Sequence, residues 1–153
     1  MAHTKIAAHE RQIRLAERIV KETTFYVRYA ETDAMGIVNH VNYVIYFEEG
    51  RTSYARQRGS DYARFEESGF FLTVVEVNVR YLKPAVFGQR VTVRCWIEEM
   101  GSRGLTFGYE VVNADTNERH VTGTTKHICI TKDGRVAKLP LEWRAWQVDS
   151  TAQ

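Results

Sequence analysis

Asp33 and His40 stand seven positions apart in the stretch YAETDAMGIVNHVNYVIYFEEGR, residues 29–51, and between them they can move protons. A carboxylate can attack an electrophilic carbon or take a proton from water, and an imidazole gains and loses its proton near neutral pH. Gly36 lets the chain turn with a positive φ, and Gly36, Ile37 and Val38 together form a small apolar lining. Two readings of this junction stay open on the residues alone. In one, Asp33 orders a strand-to-helix turn, Asn39 caps the helix and His40 is a first-turn surface residue. In the other, the free N–H groups and positive dipole end of the following helix hold a carbonyl oxygen while Asp33 works on its other face.

The elements that must position these residues can be read from hydrophobic period. Phe25 to Ala30 is an aromatic, β-prone run and predicts a strand. Tyr43, Phe47, Gly50 and Tyr54 recur at helical spacing, which predicts a helix from about His40 to Arg58, with Gly50 allowing close approach to a flat surface. A short helical turn is expected at Tyr62 to Glu67. From Phe70 onward the period becomes two. Val75, Val77, Val79 and Tyr81 form one alternating set; Val91, Val93, Cys95 and Ile97 form another. Leu105, Phe107, Tyr109 and Val111 follow, and then His120 to Thr131. Short connections between them favour antiparallel pairing. Strand, helix, then four strands defines an α+β class, with one long helix serving one curved sheet. Such a sheet leaves its other face open, Trp96 included, so a homo-oligomer, dimer or tetramer, is expected to cover it.

With 153 residues the chain has the size of one domain. A net charge of +2 argues against a nucleic-acid partner, and no apolar run is long enough for an integral membrane span. Residues 1–23 hold five basic and three acidic residues and read as an N-terminal extension, a surface helix; the rest of the chain is neutral. Cys95 and Cys129 lie in strand-like stretches away from any metal-ligand spacing and read as buried thiols of a cytoplasmic protein. The five histidines have no zinc spacing, and no P-loop, dinucleotide fingerprint or serine elbow is present, so neither metal nor organic cofactor is expected.

The dense motif Y-x-E-T-D-x-M-G-I-V-x-H-x-N-Y, followed by F-E-x-G-R at Phe47 to Arg51, resembles the hot-dog-fold acyl-CoA thioesterases. It is most similar to the 4-hydroxybenzoyl-CoA thioesterase family and its relatives associated with the Tol–Pal system. The resemblance continues through V-x-V-R-Y-L-K-P-A at Val77 to Ala85, Gly88, and Gly134 to Pro140. It implies a hot-dog domain over residues 24–146, with 147–153 as a tail, and hydrolysis of an acyl-CoA thioester in which CoA is part of the substrate. By this resemblance Asp33 is the essential carboxylate, as nucleophile or general base. The His40 N–H supplies the oxyanion contact, and its imidazole helps the leaving thiolate or orients water. Tyr43 lines the pocket, and Ser102 and Arg103 meet the nucleotide, with Lys126 and Arg80 as weaker candidates. Glu48, mid-helix like the glutamate of a second thioesterase class, reads mainly as a buried ion-pair or hydrogen-bond partner, of Arg51 or of a neighbouring loop. The rival activities are a hot-dog dehydratase or hydratase on acyl-carrier-protein or CoA substrates, and a non-catalytic acyl-CoA-binding module.

Overall fold

A computed structural model of the chain describes Lys5 and residues 18–60 and 62–146. Residues 1–4 and 6–17, most of the expected N-terminal helix, and the tail 147–153 lie outside the described residues. In chain order the elements are β1 (Lys21–Tyr26), a 3-10 turn (Tyr29–Glu31), α1 (Asn42–Gln57), α2 (Tyr62–Glu67), β2 (Phe70–Tyr81), β3 (Arg90–Met100), β4 (Gly104–Asn113), β5 (Arg119–Thr131) and α3 (Leu141–Arg144). The strands form one antiparallel sheet in the order β1-β3-β4-β5-β2. The expected α+β architecture, one main helix against a five-stranded sheet, is the one observed.

Helix α1 lies across β1, β3 and β4. It buries Tyr43, Tyr46, Phe47, Gly50, Tyr54 and Ala55 against Val91, Val93, Cys95, Phe107, Tyr109 and Val111. Phe47 stacks on Tyr109 with ring centroids 4.3 Å apart. At Gly50 a Cβ would stand 2.6 Å from Val93 Cγ1, so the glycine is what lets helix and sheet meet this closely. Both cysteines are free and buried in this core.

Several boundaries and burials differ from expectation. Strand β1 begins at Lys21, inside the expected extension, and ends at Tyr26; Tyr29 to Ala30 belongs to the 3-10 turn. The Glu31 carboxylate draws the chain round there by accepting the Arg28 N–H at 2.7 Å. The helix starts at Asn42, two residues late, because Asn39 holds the lead-in: its carbonyl accepts the Asn42 N–H at 2.9 Å and its side chain the Val41 N–H at 3.3 Å. On β2, Val75 and Val77 are 49% and 40% exposed, since the strand is an edge of the sheet and α1 packs mainly on β1, β3 and β4, meeting β2 at its last residue, Tyr81. Trp96, expected on an open face, is buried instead; its indole lies over Gly108, where a Cβ would collide with it, and its Nε1 donates to Glu98.

Candidate active site

The chain between β1 and α1 is folded by its own backbone. Asp33 N–H donates to the Ile37 carbonyl at 2.9 Å and Gly36 N–H to the Asp33 carbonyl at 3.0 Å, with Gly36 at φ +76°. Val38 N–H then donates to the Ala85 carbonyl at 2.9 Å, tying the turn to the segment after β2. Glu31 anchors its other end. Its buried carboxylate accepts the Tyr46 hydroxyl at 3.0 Å, and its carbonyl accepts the Asn39 N–H and the Asn42 amide. Burial, with the Glu31 carboxylate second, raises the Tyr46 phenol well above its ordinary pKa, so it stays a donor.

A cavity of about 370 Å³ opens beside this turn. It is lined by Asp33, Ile37, Val38, His40 and Tyr43 from the turn and the start of α1, and by Tyr81, Lys83, Pro84, His120 and Val121 from the end of β2, the segment after it and β5. The Asp33 Oδ1 accepts the Met35 N–H at 2.8 Å, so this carboxylate orders its own loop and also borders the cavity. The loop-ordering reading is seen in that bond, and the position on the cavity lining is the one the second reading requires. The His40 imidazole is exposed, 6.4 Å from the Tyr81 ring between centroids, and its carbonyl accepts the Tyr81 hydroxyl at 3.0 Å. Among the described residues the His40 N–H donates no hydrogen bond. Tyr43 is buried, which pushes its phenol pKa up, and its oxygen accepts the Ala85 N–H at 3.0 Å. Gly36 makes the turn but is not on the cavity wall.

The remaining candidates lie elsewhere. Arg103 and Lys126 line a second cavity, about 390 Å³, that shares no residue with the first. The reason is topological: the Asp33 turn follows β1, whose Tyr26 pairs with Arg90 at the start of β3, whereas the Gly101–Gly104 turn follows its end at Met100. The eleven residues of β3 put roughly 33 Å between those ends. Ser102 is exposed and lies on neither wall; its carbonyl accepts the Leu139 N–H. Arg80 is exposed on β2. Glu48 does pair with Arg51, at 3.8 Å, but its side chain is 63% exposed and away from the Asp33 cavity, so it is not a buried partner. A mid-helix position on the side away from the sheet explains this. Sequence reasoning missed Glu31 and His120. The motif position of Glu31, two before Asp33, was a signal for it; nothing in the local pattern marked His120.

The fold, one main helix packed on a five-stranded antiparallel sheet with Asp33, His40 and Tyr43 lining one cavity, is that of a hot-dog domain. Residues 27–147 match the thioesterase-like superfamily, and the chain belongs to that family. It is 38% identical over 114 residues, 74% of this chain and 82% of the relative, to YneP of Bacillus subtilis (strain 168), a provisionally named acyl-CoA thioesterase. Among solved structures, the hypothetical protein TT1821 from Thermus thermophilus is 37% identical with a TM-score of 0.79, covering 85% of this chain and 97% of that one. The DHNA-CoA thioesterase from Staphylococcus aureus is 32% identical with a TM-score of 0.81, covering 87% and 91%. The chemistry of this family is acyl-CoA thioester hydrolysis.

Proposed function

We propose that the chain hydrolyses an acyl-CoA thioester in the Asp33 cavity, to free acid and CoA. The observation that supports this reading is that Asp33 and His40, whose N–H donates no hydrogen bond among the described residues, both line one cavity. The thioester carbonyl oxygen would sit at the N–H groups leading into α1, which favour the negative charge that builds on it. Asp33 then acts in one of two ways. As nucleophile its carboxylate adds to the carbonyl carbon, the C–S bond breaks, and water hydrolyses the mixed anhydride; as base it takes a proton from the water that adds. In both, CoA leaves as thiolate and gains a proton, for which the His40 imidazole is available at the cavity rim.

Ile37, Val38 and Tyr43 would enclose the acyl group. Arg103 and Lys126 carry the charge suited to CoA phosphates, with Ser102 beside them. Because β3 separates them from Asp33 within a protomer, they would serve the Asp33 cavity of another copy in a homo-oligomer. The relative named for DHNA-CoA supports an aromatic acyl group as one substrate class to try.

Asp33→Asn tests the reading. Asparagine keeps an Oδ1 acceptor for the Met35 N–H, so the loop and melting temperature should hold while CoA release falls on the order of 10²–10⁴-fold. Hydrolysis within a few-fold of wild type would remove Asp33 from the chemistry. Single turnover in ¹⁸O-water separates its two roles: label entering the Asp33 carboxylate marks the nucleophile.

A further inference from the structure

His120 is a buried polar side chain lining the Asp33 cavity that the proposed chemistry leaves unused. It sits at an irregularity of the sheet. Val111 pairs with Val121 and Val112 with Arg119, so His120 is the extra residue of a bulge. A bulge turns two neighbouring side chains toward one side, which accounts for His120 and Val121 both lining the cavity where alternation would send them apart. The segment is pinned: the His120 carbonyl accepts the N–H groups of Leu82 and Lys83 at 2.8 and 3.1 Å.

The ring is only 2% exposed, and its Nδ1 lies 2.9 Å from the Lys83 carbonyl oxygen. A carbonyl can only accept, so Nδ1 carries a hydrogen and, in the neutral ring, Nε2 is left as a lone-pair acceptor. That Nε2 is buried and has no partner in the protein. Two of the donors on the same wall are engaged elsewhere, the Tyr81 hydroxyl on the His40 carbonyl and the Lys83 ammonium on Glu118. A buried acceptor in such a place is costly until a donor arrives.

From this geometry we infer that His120 is a specificity-determining residue: it accepts a hydrogen bond from a hydroxyl on the acyl group and so selects hydroxylated over plain acyl-CoA esters. The inference rests on the Asp33 cavity being the acyl site. A plain acyl group leaves Nε2 unpaired, whereas a hydroxyl at the right reach pairs it. A site built on a substrate hydroxyl discriminates against the analogue lacking it far better than a purely apolar pocket discriminates by size.

The test uses the full chain and matched esters: benzoyl-CoA against its 2-, 3- and 4-hydroxy forms, and butyryl-CoA against 3-hydroxybutyryl-CoA, with released thiol trapped and kcat/KM measured. In wild type at least one hydroxylated ester should exceed its parent by on the order of tenfold to a hundredfold. In His120→Phe and His120→Leu that ratio should fall to near one. A merely structural role would depress both members of a pair together and leave the ratio standing. No preference in wild type, or a preference that survives in either folded variant, overturns the role of His120 while the thioesterase reading stands on Asp33→Asn. Failure of wild type to release CoA from any ester overturns both.

Discussion

Tyr43 shows how a single side chain can line a cavity and also hold the turn beside it. Its oxygen accepts the Ala85 N–H, whose carbonyl in turn accepts the Val38 N–H, so one phenol fixes both the segment after β2 and the apolar wall beside Asp33. Tyr43→Phe keeps the ring packing on Tyr46 and Tyr81 but strands the buried Ala85 N–H. The expected cost is about 1–3 kcal/mol, read as a lower urea midpoint with an unchanged m-value. An unfolding free energy within about 0.5 kcal/mol of wild type, on the order of the scatter of such measurements, would mean that water replaces the phenol. Glu31 is a similar case one residue removed from Asp33's loop: its contacts to Tyr46, Arg28 and Asn42 join the turn to the helix.

At the scale of elements, the long edge strand β2 bears on assembly. It ends the sheet opposite β1 and exposes Val74, Val75 and Val77, and an unpaired edge of this length is a ready template for another strand. The homo-oligomer proposed above would pair β2 with β2 of a second copy. Val75→Lys places a charge at that edge and should shift the molecular mass by light scattering toward the protomer; a monomeric wild type would remove the assembly from the proposal. How far such elements could be read in the sequence depended on what decides each one. The face Tyr43–Phe47–Gly50–Tyr54 is decided by period, and it packs as the period requires. The exposure of Val75 and Val77 is decided by strand order, which no local pattern carries. The late start of α1 and the early end of β1 come from the side chains of Asn39 and Glu31 competing for backbone groups, a contest that spacing alone does not settle. Asp33 was legible because its motif is dense and local. His120 was not, since a bulge and a chain segment thirty-seven residues away bring it to the cavity.

For the molecule as a whole, a second buried histidine couples stability to pH. His127 lies between sheet and helix, with Nε2 2.7 Å from Thr125 Oγ1, which is itself 2.6 Å from the Tyr109 hydroxyl. Burial, and secondarily the Arg51 guanidinium, push its pKa down from 6.5 to about 3. The folded ring therefore stays neutral until about pH 3, while the unfolded chain takes up a proton as pH falls through 6.5. Between those values the unfolded state binds the extra proton, so this group costs stability as pH falls and contributes nothing to the slope above 7. One proton corresponds to at most about 1.4 kcal/mol per pH unit. His127→Gln removes the titrating group. The wild-type-minus-variant difference in unfolding free energy, from urea titrations at pH 4.5 to 8, should then rise with pH up to about 6.5 and level off. Carboxylates titrating in the same range cancel in that difference. Parallel curves across the window would mean that the imidazole is already charged in the folded core.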